Sequence, residues 1–200
     1  GLDIAGTPVV DRHVDGIVEM MLDATMKCSE KLTVDRLFAW QAALFPTGRS
    51  GMLKILVGQW RDDSAGPMQV VSGPMGREKV HYQAPASARV KKEMTTFLKW
   101  ANTGSLHGAG TEKTLDPFTK AALAHFWFVT IHPFEDGNGR IARAIADLLL
   151  ARADGSPQRF YSMSAQIRKE RNQYYKVLEN CQKGPLDVTE WLQWFFACLH

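Results

Sequence analysis

An imidazole, two carboxylates and two guanidiniums crowd into one short stretch, Ile131-His132-Pro133-Phe134-Glu135-Asp136-Gly137-Asn138-Gly139-Arg140-Ile141-Ala142-Arg143. Gly137 and Gly139 can adopt positive φ and bring bare backbone N–H groups close to a ligand, and Asn138 tolerates the same left-handed geometry. Successive amides of that kind, opening onto the free N–H groups of a following helix, bind phosphate. Arg140 and Arg143 would share one face of that helix's first turn. Cations there oppose the helix dipole by roughly 0.3–1 kcal/mol each, so the pair makes most sense with a multiply charged anion between them. Asp136 stands just before the turn, where a carboxylate can ligate a Mg2+ that bridges phosphates, and Glu135 is the other carboxylate in reach. His132, at the entrance to the loop, titrates near neutrality in its ordinary form and is the natural general base. Phe134 reads as an apolar anchor beneath the loop.

Elements of the right kind flank this loop. Upstream, Asp116-Pro117 is a helix start, an N-cap followed by proline at the first helical position. The residues that follow, from Ala121 to Ile131, are apolar on nearly every face, which places this helix at the centre of the core. It holds His132 by packing, as the positional tolerance of catalysis requires. Downstream, Ala144 to Arg152 completes a second apolar helix, broken at Gly155-Ser156-Pro157. His125 lies on the central helix with no phosphate or metal partner nearby in sequence, so it reads as a packed or hydrogen-bonded histidine.

The run His132-Pro-Phe134-Glu-Asp136-Gly137-Asn138-Gly139-Arg140-Ile-Ala-Arg143 resembles the active-site motif of Fic-domain proteins at every signature position. The resemblance extends over most of the chain from about Val70 to the C-terminus. It implies a mainly α, Fic-like helical bundle with one inserted β-hairpin. The implied activity is that of a protein adenylyltransferase, which uses ATP as co-substrate and Mg2+ as cofactor to attach AMP to a hydroxyl side chain of a target protein. In that reading His132 is the catalytic base and Asp136 holds the metal. Gly137, Asn138, Gly139, Arg140 and Arg143 bind the nucleotide, Asn138 through a phosphate hydrogen bond while it also fixes the turn, and Phe134 anchors loop 132–143.

The flap of the family corresponds to the hairpin signal at about 68–82, two β-prone runs around the turn Ser72-Gly-Pro-Met-Gly-Arg77. Val70, Val71, Val80 and His81 are its expected docking positions, where an extended segment of the target adds as a strand. Three other functions compete: removal of AMP, γ-phosphate transfer, and a nucleotide-binding regulatory module. The Gly-Asn-Gly-Arg loop disfavours γ-phosphate transfer, and a pure binder has no need of His132. Many family members also carry an inhibitory helix with a Ser/Thr-x-x-x-Glu-Gly/Asn signature, whose glutamate pairs with the second arginine of the motif. The nearest match here, Glu179-Asn180, has Tyr175 four residues earlier. The expectation is therefore a core fragment lacking that helix, with Arg143 unpaired and AMP transfer faster than in a longer parent.

The rest of the chain reads as supporting structure. Asp11 to Thr25, with Asp11 as cap, is an amphipathic helix whose apolar positions are Val14, Ile17, Val18, Met21 and Leu22. Thr33 caps a second helix that ends at Pro46; residues 46–66, rich in Gly, Arg and Asp, read as a solvated loop with the short apolar run Leu53 to Val57 as a candidate extended segment. Gly48 to Gly51 lacks the Gly-Lys-Ser/Thr ending of a phosphate loop. After Pro85 comes a helix with Val90, Met94, Phe97 and Leu98 buried, then a glycine-rich loop from Ala101 to Lys113. Met163 to Cys181 and a last helix around Trp191 and Phe195 close the bundle. A length of 200 residues makes one domain, 1–200, and 45% hydrophobic content supplies its core. A net charge of +3 is too mild for a nucleic-acid footprint. No run is long enough to span a membrane, the N-terminus is no signal peptide, and cytoplasm is the default. Cys28, Cys181 and Cys198 show neither disulfide nor zinc spacing. The expected partners are ATP and a target protein, with a homodimer left open.

Overall fold

The computed structural model describes residues 9–72, 77, 79–103, 115–156, 163–185 and 187–199. In chain order the elements are α1 (Val9–Met26), α2 (Val34–Leu44), β1 (Arg49–Ser50), β2 (Leu53–Lys54), β3 (Gln69–Ser72), β4 (Lys79–Gln83) and α3 (Ser87–Asn102). They continue as α4 (Pro117–Ile131), α5 (Asn138–Asp154), α6 (Met163–Lys169), α7 (Arg171–Lys183) and α8 (Thr189–Ala197). The chain is thus the mainly helical bundle its sequence implies. Among the described residues no helix is long and apolar enough to cross a membrane.

Helix α4 begins as the Asp-Pro pair dictates, the Asp116 carboxylate accepting the Thr119 N–H at 2.8 Å. Its Ala121, Ala122, Ala124 and Phe128 are wholly buried, and it lies against α3, α5 and α8. Small alanines on α4 and on α5 (Ala142, Ala144, Ala146, all 0% exposed) let the two helices that flank the loop pack side by side. Helix α8 is fastened to α4 by the Trp191 indole, which donates to the Ala122 carbonyl at 2.9 Å.

Helix α1 departs from the sequence reading in two ways. It starts at Val9, so Asp11 lies inside the helix rather than capping it. Of the expected apolar face, Val14, Ile17, Val18 and Leu22 are 38–55% exposed, whereas Met20 and Ala24 are buried. The cause is Gly16, whose missing side chain lets α1 close on α2: a Cβ there would stand 1.9 Å from the Ala43 carbonyl oxygen. That contact turns α1 about its axis away from the stripe that periodicity favours. Gly16→Ala is expected to destabilise the protein by about 1–3 kcal/mol through overpacking. A urea midpoint equal to that of the unchanged protein would refute this account of the α1–α2 contact.

The stretch Met163 to Cys181, expected as one helix, is two. Glu170 leaves helical geometry (φ −114, ψ 34). Its carboxylate accepts the Gln166 amide at 2.5 Å and the Trp194 indole at 3.2 Å. The bend lets α6 bury Met163 and Ile167 while α7 buries Tyr174, Val177 and Cys181.

Residues 46–66 depart from a solvated loop, although the extended segment expected from Leu53 is present as β2 at Leu53–Lys54. Their first part folds into the small antiparallel pair β1–β2, and their remainder wraps the active loop. The flap hairpin forms as β3–β4, with Val71 opposite Val80 and a bulge between Val70 and Val71. Its turn residues 73–76 and 78 lie outside the described residues, as does most of the glycine-rich loop expected after Ala101. A lone two-stranded pair is marginal, and this one leans on helices: the Tyr82 hydroxyl donates to the Thr130 carbonyl at 2.8 Å, and His81 Nδ1 meets the Glu179 carboxylate at 2.5 Å.

Candidate active site

His132, the residue after α4, adopts left-handed backbone (φ 52, ψ 58), and among the described residues no other non-glycine residue has positive φ. Such a conformation costs an L-residue roughly 1–2 kcal/mol and persists only where its surroundings over-determine it. Arg61 does much of that. Its Nε donates to the His132 carbonyl at 2.7 Å, and its backbone N–H donates to Pro133 at 2.9 Å. Its guanidinium also reaches Asp63 at 2.9 Å and the Pro85 carbonyl at 2.5 Å. Arg61 is only 3% exposed, yet the sequence reading passed over it, because irregular chain carries no periodicity to mark a buried position.

The His132 ring is oriented by its own helix. Nδ1 lies 3.1 Å from the Val129 carbonyl, an acceptor, so the proton belongs on Nδ1 and Nε2 keeps a free lone pair. Burial pushes the pKa down to about 4, with the Val129 hydrogen bond and Asp136 opposing the shift and Arg61 adding to it. This corrects the expectation of titration near neutrality: desolvation outweighs the nearby carboxylate, and the imidazole is neutral throughout the physiological range. His125 is the packed histidine expected. It is fully buried, its Nε2 lies 2.9 Å from the Tyr174 hydroxyl, and burial, then the charge of Arg143, bring its pKa to about 3.

These two depressed values bear on stability. An unfolded histidine titrates near 6.5, so between that pH and about 4 the unfolded chain binds protons that the native His125 and His132 refuse. Stability is therefore unaffected by them above about pH 6.5 and falls as the pH drops through this window. The expected loss from about pH 7 to 5 is roughly 2 kcal/mol for each histidine, read by urea unfolding. Replacing His125 with asparagine should remove about half of that slope; an unchanged slope would show that His125 does not contribute to it.

The loop itself is clamped from beneath. Phe134 is wholly buried, as an anchor should be, with its ring 5.2 Å from Trp60 and 6.2 Å from Phe38. Asn138, 2% exposed, accepts the Phe134 N–H at 3.0 Å and donates to the Phe134 carbonyl at 2.7 Å. It fixes the turn as expected, with both side-chain amide atoms held by the Phe134 backbone. Glu135 accepts the Leu56 N–H at 2.8 Å, which ties the loop to the 46–66 segment. Gly137 takes the left-handed backbone (φ 89) at the start of α5, where a side chain would press on Phe45 at 3.0 Å. Gly139 does not share that geometry. It is helical, and the space above it is open, which leaves the first turn of α5 bare to a ligand. Among the described residues no side chain caps that turn, so its N–H groups remain to be satisfied.

Asp136 is 43% exposed at its side chain; one oxygen accepts the Gly137 N–H at 2.5 Å and the other takes the Ser50 hydroxyl. The β1–β2 loop thus reaches the carboxylate, a contact that the solvated-loop reading missed. Among the described residues no three His, Cys, Asp or Glu side chains converge. A single accessible carboxylate beside a hydroxyl fits an ion such as Mg2+, which completes its shell with phosphate oxygens and water. The two arginines sit three apart on α5, as expected, and near enough that the charge of Arg143 lowers the pKa of Arg140, yet their side chains have different neighbours. Arg140 lies over the Phe45 ring at 4.7 Å and 3.7 Å from Asp136, while Arg143 lines a cavity of 170 Å3 beside His132. Val70, Gly139, Tyr175 and Gln182 share that cavity with them, as does His81. Val71 and Val80 face outward, 47% and 43% exposed. Glu179, the nearest match to an inhibitory glutamate, is taken by Lys183 and His81 at 2.6 and 2.5 Å. Gln182 carried no signal in sequence beyond its spacing on α7, and Tyr175 none that pointed to this cavity, because only the fold brings that helix beside the loop. Cys28, Cys181 and Cys198 are free thiols.

Comparison with known proteins agrees with this geometry. A protein adenylyltransferase Fic from Drosophila yakuba is 37% identical over 105 residues, 52% of this chain and 18% of the relative. Its counterpart from Nematostella vectensis is 32% identical over 116 residues, 57% of this chain and 23% of the relative. The chain thus spans under a quarter of the length of the curated relatives it matches. A Fic-domain signaling protein from Bacteroides thetaiotaomicron superposes on 98% of this chain and 71% of its own, with TM-score 0.68 at 21% identity. A Fic family protein from Desulfovibrio desulfuricans does so on 98% and 53%, with TM-score 0.68 at 23% identity. Those likenesses establish the fold, including the helices after residue 150. Residues 31–150, which begin well before Val70, match the family model for Fic/DOC, and the chain belongs to the Fic/DOC family.

Proposed function

We propose that this chain transfers AMP from ATP to a hydroxyl side chain of a target protein. The observation that carries the reading is the meeting, on one cavity, of a neutral His132 with its Nε2 unprotonated, Arg143, and the bare first turn of α5 at Gly139. The triphosphate would lie across the α5 N-terminus, where free N–H groups and the helix dipole favour anions. Arg140 and Arg143 then offset the charge that develops on departing pyrophosphate. Asp136 with Ser50 beside it would hold Mg2+, which when bound neutralises phosphate charge. His132 Nε2 takes the proton of the target hydroxyl as its oxygen attacks the α-phosphorus. The apolar walls at Val70, Tyr175 and Leu178, with the Gln182 amide among them, suit a purine ring. The flap's Val70, Val71, Val80 and His81 would dock the target by strand addition.

Parallel incubations with α-labelled and γ-labelled ATP and a lysate test the reading. Label retained on protein from the α position alone is the expected result. Label from the γ position alone would mean phosphorylation, and label from neither would reject AMP transfer in favour of removal or binding.

A further inference from the structure

A second cleft, of 680 Å3, opens between the flap and α7. One wall is β3, with Val70, Val71 and Ser72 in succession; the other is α7, with Arg171, Tyr175 and Lys176. Among the described residues strand β3 pairs only with β4, so its outer edge presents unpaired N–H and C=O groups. The cleft is cationic. Among the described residues, Lys79, Arg171 and Lys176 line it against one carboxylate, Glu179, which is already held by Lys183 at 2.6 Å and by His81 at 2.5 Å. Arg171 is steadied over the Tyr175 ring at 5.7 Å.

The walls are fixed relative to each other. His81 bridges them, with Nδ1 on Glu179 of α7 and Nε2 2.6 Å from the Ser72 hydroxyl of β3. The cleft also runs into the cavity beside His132, since Val70, His81, Tyr175 and Glu179 line both. A chain lying in the cleft therefore ends beside the base.

We propose that this cleft seats an extended, acidic segment of the target protein, paired along the outer edge of β3 and drawn in by Lys79, Arg171 and Lys176; this rests on the AMP-transfer reading above. Main-chain pairing alone sets register without choosing a sequence. The three cations supply the choice, favouring targets whose modified hydroxyl is flanked by Asp or Glu.

The test uses two short fluorescent peptides, identical but for glutamate or lysine on both sides of a central serine. By anisotropy the glutamate peptide is expected to bind about tenfold more tightly at low salt, with the gap closing at high salt. Arg171→Glu combined with Lys176→Glu, both at exposed positions, is expected to reverse the preference while circular dichroism and ATP affinity stay unchanged. Equal binding of the two peptides, a preference that survives the double substitution, or tighter binding of a short uridine oligonucleotide overturns the proposal. A transfer arm with α-labelled ATP separates the two readings. Equal labelling of both peptides overturns the acidic cleft, whereas selective binding of the glutamate peptide with no label on either overturns AMP transfer and leaves the cleft standing.

Discussion

Replacing His132 with alanine is expected to lower AMP transfer by about 10²–10⁴-fold, the range that removal of a positioned general base produces. ATP affinity should barely change, because in the proposed reading the phosphates rest on the first turn of α5, Arg140 and Arg143 rather than on the imidazole. The backbone of His132 adds a second, independent readout. Its left-handed geometry (φ 52, ψ 58) strains alanine as it strains histidine, but glycine adopts it freely. His132→Gly should therefore be more stable than His132→Ala by about 1 kcal/mol, although both are inactive. Turnover retained by either variant would remove His132 from the chemistry. Alanine and glycine variants of equal stability would show that the strain is not real. The pKa of about 4 also predicts that kcat/KM holds from neutral pH down to mildly acid conditions, where a histidine titrating at its ordinary value would already have lost its lone pair.

Which of these features could be read from the chain follows from how far apart the responsible residues lie. The loop 132–143 was legible because its chemistry is local: Gly137 supplies its own positive φ, and Asp116-Pro117 caps the helix that ends at His132. The fold class was legible for the same reason, since caps and apolar runs mark helices without reference to partners. Errors arose where a distant contact decides. The Ala43 carbonyl against Gly16 sets the facing of α1, and no periodicity in α1 reports it. The bend at Glu170 depends on the Trp194 indole, which arrives only when α8 packs. The family resemblance implied a phosphate contact for Asn138, but it could not show that burial beneath the loop commits both side-chain amide atoms to Phe134. The titration of His132 could not be read at all, because a pKa depends on solvent access that only the packed molecule defines.

Arg61→Ala is the other substitution with a large expected effect, and it acts on catalysis without touching substrate. Its guanidinium serves the carbonyls of His132 and Pro85 and the carboxylate of Asp63. Removing it strands buried carbonyl groups, each worth roughly 1–3 kcal/mol, so a total loss of roughly 2–5 kcal/mol is expected on unfolding. The His132 carbonyl then loses one of the bonds that hold the left-handed turn, and a shift of the ring by about 1 Å lowers kcat by about 10²-fold. Arg61 does not line the cavity beside His132, so KM for ATP should stay close to its original value. Two further measurements separate positioning from simple loss of structure. Arg61 is one of the influences that lower the His132 pKa, so removing its charge should move the ring's titration upward, as read by NMR on the folded variant. Arg61→Lys keeps the charge but cannot span the same acceptors; its His132 should titrate nearly as before while kcat still falls. Should the alanine variant leave both kcat and the His132 titration unmoved, Arg61 would be only a packing residue of the 46–66 segment.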